Sequence, residues 1–124
     1  MEDSGLFIES LNDFPGVFSS YFFGTLGNEG ILKLLENESN RNAEYRAYSI
    51  LYSNGVYFRA LGKCSGTIST EIKGSNGFGY DPIFIPNSGG GHTFGEMEDY
   101  EKQSKSHRGE SLRILYDKLS HPSK

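Results

Sequence analysis

Residues Ser75 to Pro86, SNGFGYDPIFIP, set a carboxylate, Asp81, between the aromatics Phe78 and Tyr80 and an Ile/Phe run with the look of a buried strand. Asp before Pro is steered away from the helical region, and Gly77 and Gly79 tolerate positive φ, so the stretch reads first as a turn entering a strand. A second group, Lys102, Lys105, His107 and Arg108 in KQSKSHRGE, stands just before a segment of helical spacing. Helix-start amides and cations together suit an anion or a keto oxygen. Read for charge alone, the same group is a solvated basic turn after the acidic EMEDYE. Near the start, Asp3 beside Ser4 and Glu2 can serve a hard divalent cation such as magnesium, or be a polar terminus and nothing more. The glycines of SGGGH and GFG have neither phosphate-loop nor dinucleotide-fingerprint spacing and read as loop.

These groups need elements to hold them. Residues 6–11 read as a short strand or loop, and Pro15-Gly16 forces a turn. Ile31, Leu34 and Leu35 recur at helical spacing, so 25–36 is expected to be one helix of about three turns capped by Asn28. Residues 43–52 alternate as a strand, Asn54-Gly55 signals a hairpin, 56–61 returns, and 63–72 supplies a further strand. Residues 87–95 read as a flexible loop and 96–103 as a short helix. A final helix over 106–119 is capped by Ser106, with Leu112, Leu115 and Leu119 on one face and a frayed tail beyond. Strands followed by helices point to an α/β fold in which a mixed sheet with antiparallel hairpins is flanked by helices. There is no internal repeat and no boundary, so 1–124 is expected to be a single domain.

Composition narrows the function classes. With 35% hydrophobic and 14% aromatic residues, the 124-residue chain can build one modest core. A net charge of -4 provides no global field for nucleic acid, so an anionic ligand needs local cations or a metal. One cysteine, Cys64, and three scattered histidines match no disulfide framework or zinc spacing, which points to a reducing, cytoplasmic setting. The acidic opening MEDSGLFIES does not read as a signal peptide, and no apolar run approaches a membrane span.

Five segments in this order, EDSGLFIESL, FPGVFSS, GFGYDPIF, TFGEM and EKQSKSHRGESL, resemble the inosine triphosphate pyrophosphatase family from Glu2 to about Leu119. The run SSYFFGTLGNEGILKLL is most similar to archaeal members. The resemblance implies a bent sheet corresponding to the C-terminal two thirds of the family fold, N-terminally truncated. It also implies a homodimer and hydrolysis of ITP, dITP or XTP to the monophosphate and pyrophosphate. By position, Asp3 is implied as the catalytic carboxylate and magnesium ligand, with Ser4 contacting substrate. Phe78, Gly79, Tyr80 and Asp81 are implied as the purine pocket, completed by Lys102, His107 and Arg108.

The chemistry of these residue types agrees with that assignment. A base stacked on Phe78 gains about 1 to 3 kcal/mol. Asp81 can accept from the N1–H of hypoxanthine or xanthine, where adenine offers a lone pair. His107 and Arg108 can donate to the 6-keto oxygen, where adenine carries an amino group. Mismatched buried donors and acceptors discriminate on the order of 10,000-fold. The family's usual opening Thr/Ser-Gly-Asn-x-x-Lys, which grips phosphates, does not occur here. The alternative is therefore a non-catalytic purine nucleotide-binding protein or subunit.

Overall fold

A computed structural model describes residues 2–106 and Ile114, with the backbone alone described for Glu2, Asp3 and Gln103. Strand β1, Glu2–Ile8, is followed by a short β2, Phe14–Pro15, and by helices α1, Ser19–Thr25, and α2, Gly27–Leu34. Two long strands, β3 (Asn42–Ser53) and β4 (Val56–Ile68), lead to a short β5, Phe84–Pro86, and to helix α3, Asp99–Lys105. The sheet order is β2-β1-β3-β4-β5, and each of these pairings is antiparallel. The α/β class stands as expected, and the expected mixed sheet is antiparallel throughout its described strands.

The β3–β4 hairpin forms where the Asn-Gly signal put it. Asn54 (φ 52°) and Gly55 (φ 79°) both take the left-handed conformation that a two-residue hairpin turn needs. Along β3, Ala43, Tyr45, Ala47 and Ser49 alternate inward, and Ala60, Cys64 and Ile68 do the same along β4. The return strand runs unbroken from Val56 to Ile68, where two strands were expected; Gly62 sits inside the ladder opposite Ala47 and does not interrupt it. Strand β1 likewise starts four residues earlier than expected, carried by pairing with β3 from Glu2↔Ser49 to Ile8↔Ala43.

The single helix expected over 25–36 is two helices. Gly27 at φ +65° cannot continue α1, so the chain turns at Leu26 and starts α2. Asn28 is not a cap, and no side chain caps α2. Ile31 and Leu35 are fully buried beside Leu6, Ile8, Phe84 and Phe94 in one core cluster on the helical side of the sheet, whereas Leu34 is exposed. Arg41 ties this layer down: its guanidinium donates to the carbonyls of Leu35 (2.8 Å), Ile68 (2.8 Å) and Ser69 (2.7 Å), joining the end of α2 to the end of β4.

The last two residues of the expected 87–95 loop, with Glu96 after them, close into a helical turn, Phe94–Glu96. Thr93 and Glu96 form a capping box there, which places Phe94 against the rings of Tyr45 and Phe84. Helix α3 corresponds to the short helix expected at 96–103, starting three residues later. The final helix expected over 106–119 lies outside the described residues apart from Ser106 and the helical Ile114. Among the described residues no helix is long and apolar enough to cross a membrane.

Candidate functional site

The turn of the opening motif is built by Asp81 itself. Asp81 Oδ2 accepts the Phe78 amide at 3.0 Å, while the Asp81 amide donates to the Phe78 carbonyl at 3.3 Å, so the acid clasps the residue three positions before it. Gly77 at φ +76° makes this possible, because a Cβ there would run into Asp81 Oδ2. Pro82 then enters the single turn Asp81–Ile83 and delivers the fully buried Ile83 and Phe84 to the core. The aromatic before the acid stays at the surface: Phe78 is 59% exposed, and Asp81 is 3% exposed.

Distant elements hold the turn. The Tyr80 hydroxyl donates to the Ser19 carbonyl at 2.6 Å, and burial pushes its phenol up to about 12. The Asn28 amide donates to the Gly79 carbonyl at 3.1 Å. Ser19 is itself a junction: its Oγ accepts the Leu6 amide (2.8 Å) and donates to the Gly16 carbonyl (2.6 Å), locking α1 onto β1.

Around this turn lies a cavity of about 390 Å³, inside the range of small-molecule sites. Ser4, Phe78, Gly79, Tyr80, Asp81 and Lys102 all line it. Lys102 reaches in from α3, placing Nζ 2.6 Å from Asp81 Oδ2 and 4.4 Å from the centroid of the Phe78 ring. Its ammonium and a stacked base cannot occupy the same face of the Phe78 ring. Of the remaining residues singled out from sequence, Asp3 sits in β1 across from Tyr48, with its side chain outside the description. His107 and Arg108 lie outside the described residues, two steps at most beyond Ser106, which lines the cavity.

Residues 1–118 match the model of the Ham1 family. The chain belongs to the Ham1 family. It is 50% identical over 119 residues to a dITP/XTP pyrophosphatase of Pyrococcus horikoshii, covering 96% of this chain and 63% of that protein. It is also 50% identical over 113 residues to a dITP/XTP pyrophosphatase of Thermococcus kodakarensis, covering 91% of this chain and 60% of that protein. The solved structure of a HAM1 protein from Coxiella burnetii superposes with a TM-score of 0.87 at 37% identity, over 96% of this chain and 65% of that one. This Ham1 chain thus spans about 60% of the length of the curated relatives it matches.

Two of the cavity residues of this Ham1 member escaped the sequence reading. Tyr45 looked like any inward residue of an alternating strand, yet its hydroxyl lies 3.4 Å from Asp81 Oδ1. Burial first, and Asp81 second, push its phenol well above the ordinary value. Ser19 sat in a quoted motif, FPGVFSS, without a role; a hydroxyl three residues after the Pro-Gly turn was the available signal.

The implied magnesium finds no donor set among the described residues. No group of three or more His, Cys, Asp or Glu side chains is placed there to hold a metal, and Asp81 is bound to an ammonium.

Proposed function

We propose that this Ham1 member hydrolyses non-standard purine nucleoside triphosphates, ITP, dITP or XTP, to the monophosphate and pyrophosphate. Water adds at the α-phosphorus and the bond to the β-phosphate oxygen breaks. The observation that carries the reading is the meeting of Phe78, Asp81 and Lys102 at one cavity, with Ser4 on its wall. There Phe78 supplies a stacking surface and Asp81 a buried acceptor for N1–H, with His107 and Arg108 proposed as donors to the 6-keto oxygen. An acceptor at N1 rejects adenine, whose N1 is itself an acceptor. Ser4 and Asp3 are proposed for the phosphate end, Asp3 as the carboxylate that orients the water. The names of the archaeal relatives support the substrate class.

Magnesium as cofactor, a homodimer as assembly and a cytoplasmic setting belong to the same reading. A second reading, a purine nucleotide-binding protein or subunit without turnover, is favoured by one observation. The contacts described in the cavity serve the base end, and its described ammonium, Lys102, is tied to Asp81.

The test is pyrophosphate release from ITP and from ATP with magnesium present, for the wild type and Phe78→Ala. We expect ITP to be preferred by several hundredfold or more, and Phe78→Ala to weaken ITP use by about 10- to 100-fold, the stacking loss expressed as a ratio. No release from ITP by the wild type, with ITP still bound, selects the second reading. Equal use of ATP and ITP refutes both.

A further inference from the structure

Asp81 is loaded unequally on its two oxygens. Oδ2 accepts from Lys102 Nζ at 2.6 Å and from the Phe78 amide at 3.0 Å, which uses both of its lone pairs. Oδ1 accepts from the Tyr45 hydroxyl at 3.4 Å, a long contact that leaves a lone pair to spare. The capacity of this buried carboxylate for a ligand N–H therefore lies on Oδ1, and Tyr45 is the side chain beside it.

Tyr45 is well built to hold that oxygen still. Its ring sits 4.4 Å from Phe84 and 6.1 Å from Phe94, centroid to centroid, so the hydroxyl is carried on an aromatic stack and has little freedom to swing. The residue is 6% exposed, yet it lines the cavity. A phenol is protonated at neutral pH, and burial moves Tyr45 further in that direction, so the hydroxyl is a donor to the carboxylate.

We infer that Tyr45 is a positioning residue for purine selection: its hydroxyl fixes the plane of the Asp81 carboxylate so that the second lone pair of Oδ1 faces the N1–H of a hypoxanthine or xanthine base. This rests on the base-reading role given to Asp81 above. Without the hydroxyl, the carboxylate pivots about its Oδ2 contacts and Oδ1 loses its aim. Adenine has no hydrogen on N1, so its weaker binding never depended on that aim.

Tyr45→Phe keeps the ring and removes the hydroxyl alone. Binding of inosine 5′-monophosphate and adenosine 5′-monophosphate is measured by titration calorimetry, with thermal unfolding as a check on the fold. The expected result is a loss of about tenfold in affinity for inosine monophosphate and less than twofold for adenosine monophosphate, with the midpoint shifted by only a few degrees. Equal losses for the two nucleotides, the pattern of a merely structural residue, overturn the inference. Unchanged inosine monophosphate binding in Tyr45→Phe overturns it alone, whereas a wild type that binds no inosine monophosphate overturns it together with the functional reading.

Discussion

Replacing Lys102 by Met keeps the stem and removes the ammonium, which isolates one contact of the cavity. The ion pair it breaks is short, 2.6 Å, and mostly enclosed, with side-chain exposures of 17% for Lys102 and 5% for Asp81. Stranding a buried charge of this kind costs about 3 to 5 kcal/mol when nothing else compensates it. Here the Phe78 amide still donates to Asp81 at 3.0 Å, and a hydrogen bond to a charged group is worth about 1.5 to 3 kcal/mol, while the 3.4 Å contact from the Tyr45 hydroxyl adds little. The expected loss is therefore at or below the low end, about 2 to 3 kcal/mol. Urea unfolding followed by circular dichroism reads this as a midpoint lowered by about 0.7 to 3 M, given slopes of roughly 1 to 3 kcal/mol per M. Lys33→Met is the internal control. The Lys33–Glu36 pair spans 3.3 Å with exposures of 80% and 60%, and its loss should stay within about 0.5 kcal/mol. If the two variants unfold at the same urea concentration, Asp81 does not depend on Lys102 and the electrostatic picture of the cavity is wrong.

Gly77→Ala combines a φ of +76° with a Cβ driven into Asp81 Oδ2, while Gly79→Ala, at φ +62°, meets no heavy atom within 4 Å. Left-handed strain of about 1 to 2 kcal/mol is common to both, so urea unfolding should show Gly77→Ala less stable than Gly79→Ala by at least about 1 kcal/mol. The Glu96 carboxyl is held below the ordinary glutamate range, first by the Thr93 amide it accepts and then by His92 at 3.8 Å. A lowered folded-state value means that its stabilisation is complete above the unfolded pKa of about 4.3 and is lost as pH falls through the lower folded value. The stability gap between wild type and Glu96→Gln should therefore close on acidification from about pH 5, and a gap that widens would contradict the capping box.

Much of the candidate site was legible because it is local. Phe78, Gly79, Tyr80 and Asp81 are consecutive, and turn chemistry alone brings the aromatic and the acid together. The hairpin at Asn54-Gly55 was legible for the same reason, since two residues set its geometry. What could not be read from local pattern was continuity. The periodic apolar residues of 25–36 suggested one helix, but a single positive φ at Gly27 outweighs periodicity and divides it. Conversely, Gly62 inside an alternating pattern looked like the end of a strand, and pairing on both sides of it carried β4 through to Ile68. Tertiary pairing decided the one and backbone sterics the other.

The contacts that aim the site were hidden by distance along the chain. Tyr45 reaches Asp81 across 36 residues, Asn28 reaches Gly79 across 51, and Tyr80 reaches Ser19 across 61. None of these partners carries a signature of its own: a tyrosine on the inward face of a strand and an asparagine at a helix start both have ordinary explanations. Even so, Asn28 was noticed for a property it does have. An asparagine beside a glycine break has a short amide close to the backbone, and here it serves the carbonyl of a neighbouring loop in place of its own helix.

The two readings of Asp81, turn-former and ligand group, therefore do not compete. A carboxylate has two oxygens, and the fold loads them unequally: Oδ2 closes the turn and binds the lysine, while Oδ1 takes the long contact from the Tyr45 hydroxyl. The division follows from burial. An acid placed in a turn at the surface would meet its second oxygen's needs with water, and nothing would remain for a ligand to gain. At 3% exposure water has little access, so a base that brings an N–H to Oδ1 completes a bond the protein by itself makes only weakly. On the proposed function, selectivity for N1–H follows from the same desolvation that makes the turn costly to build, and any variant that floods the cavity with water should lose discrimination before it loses binding.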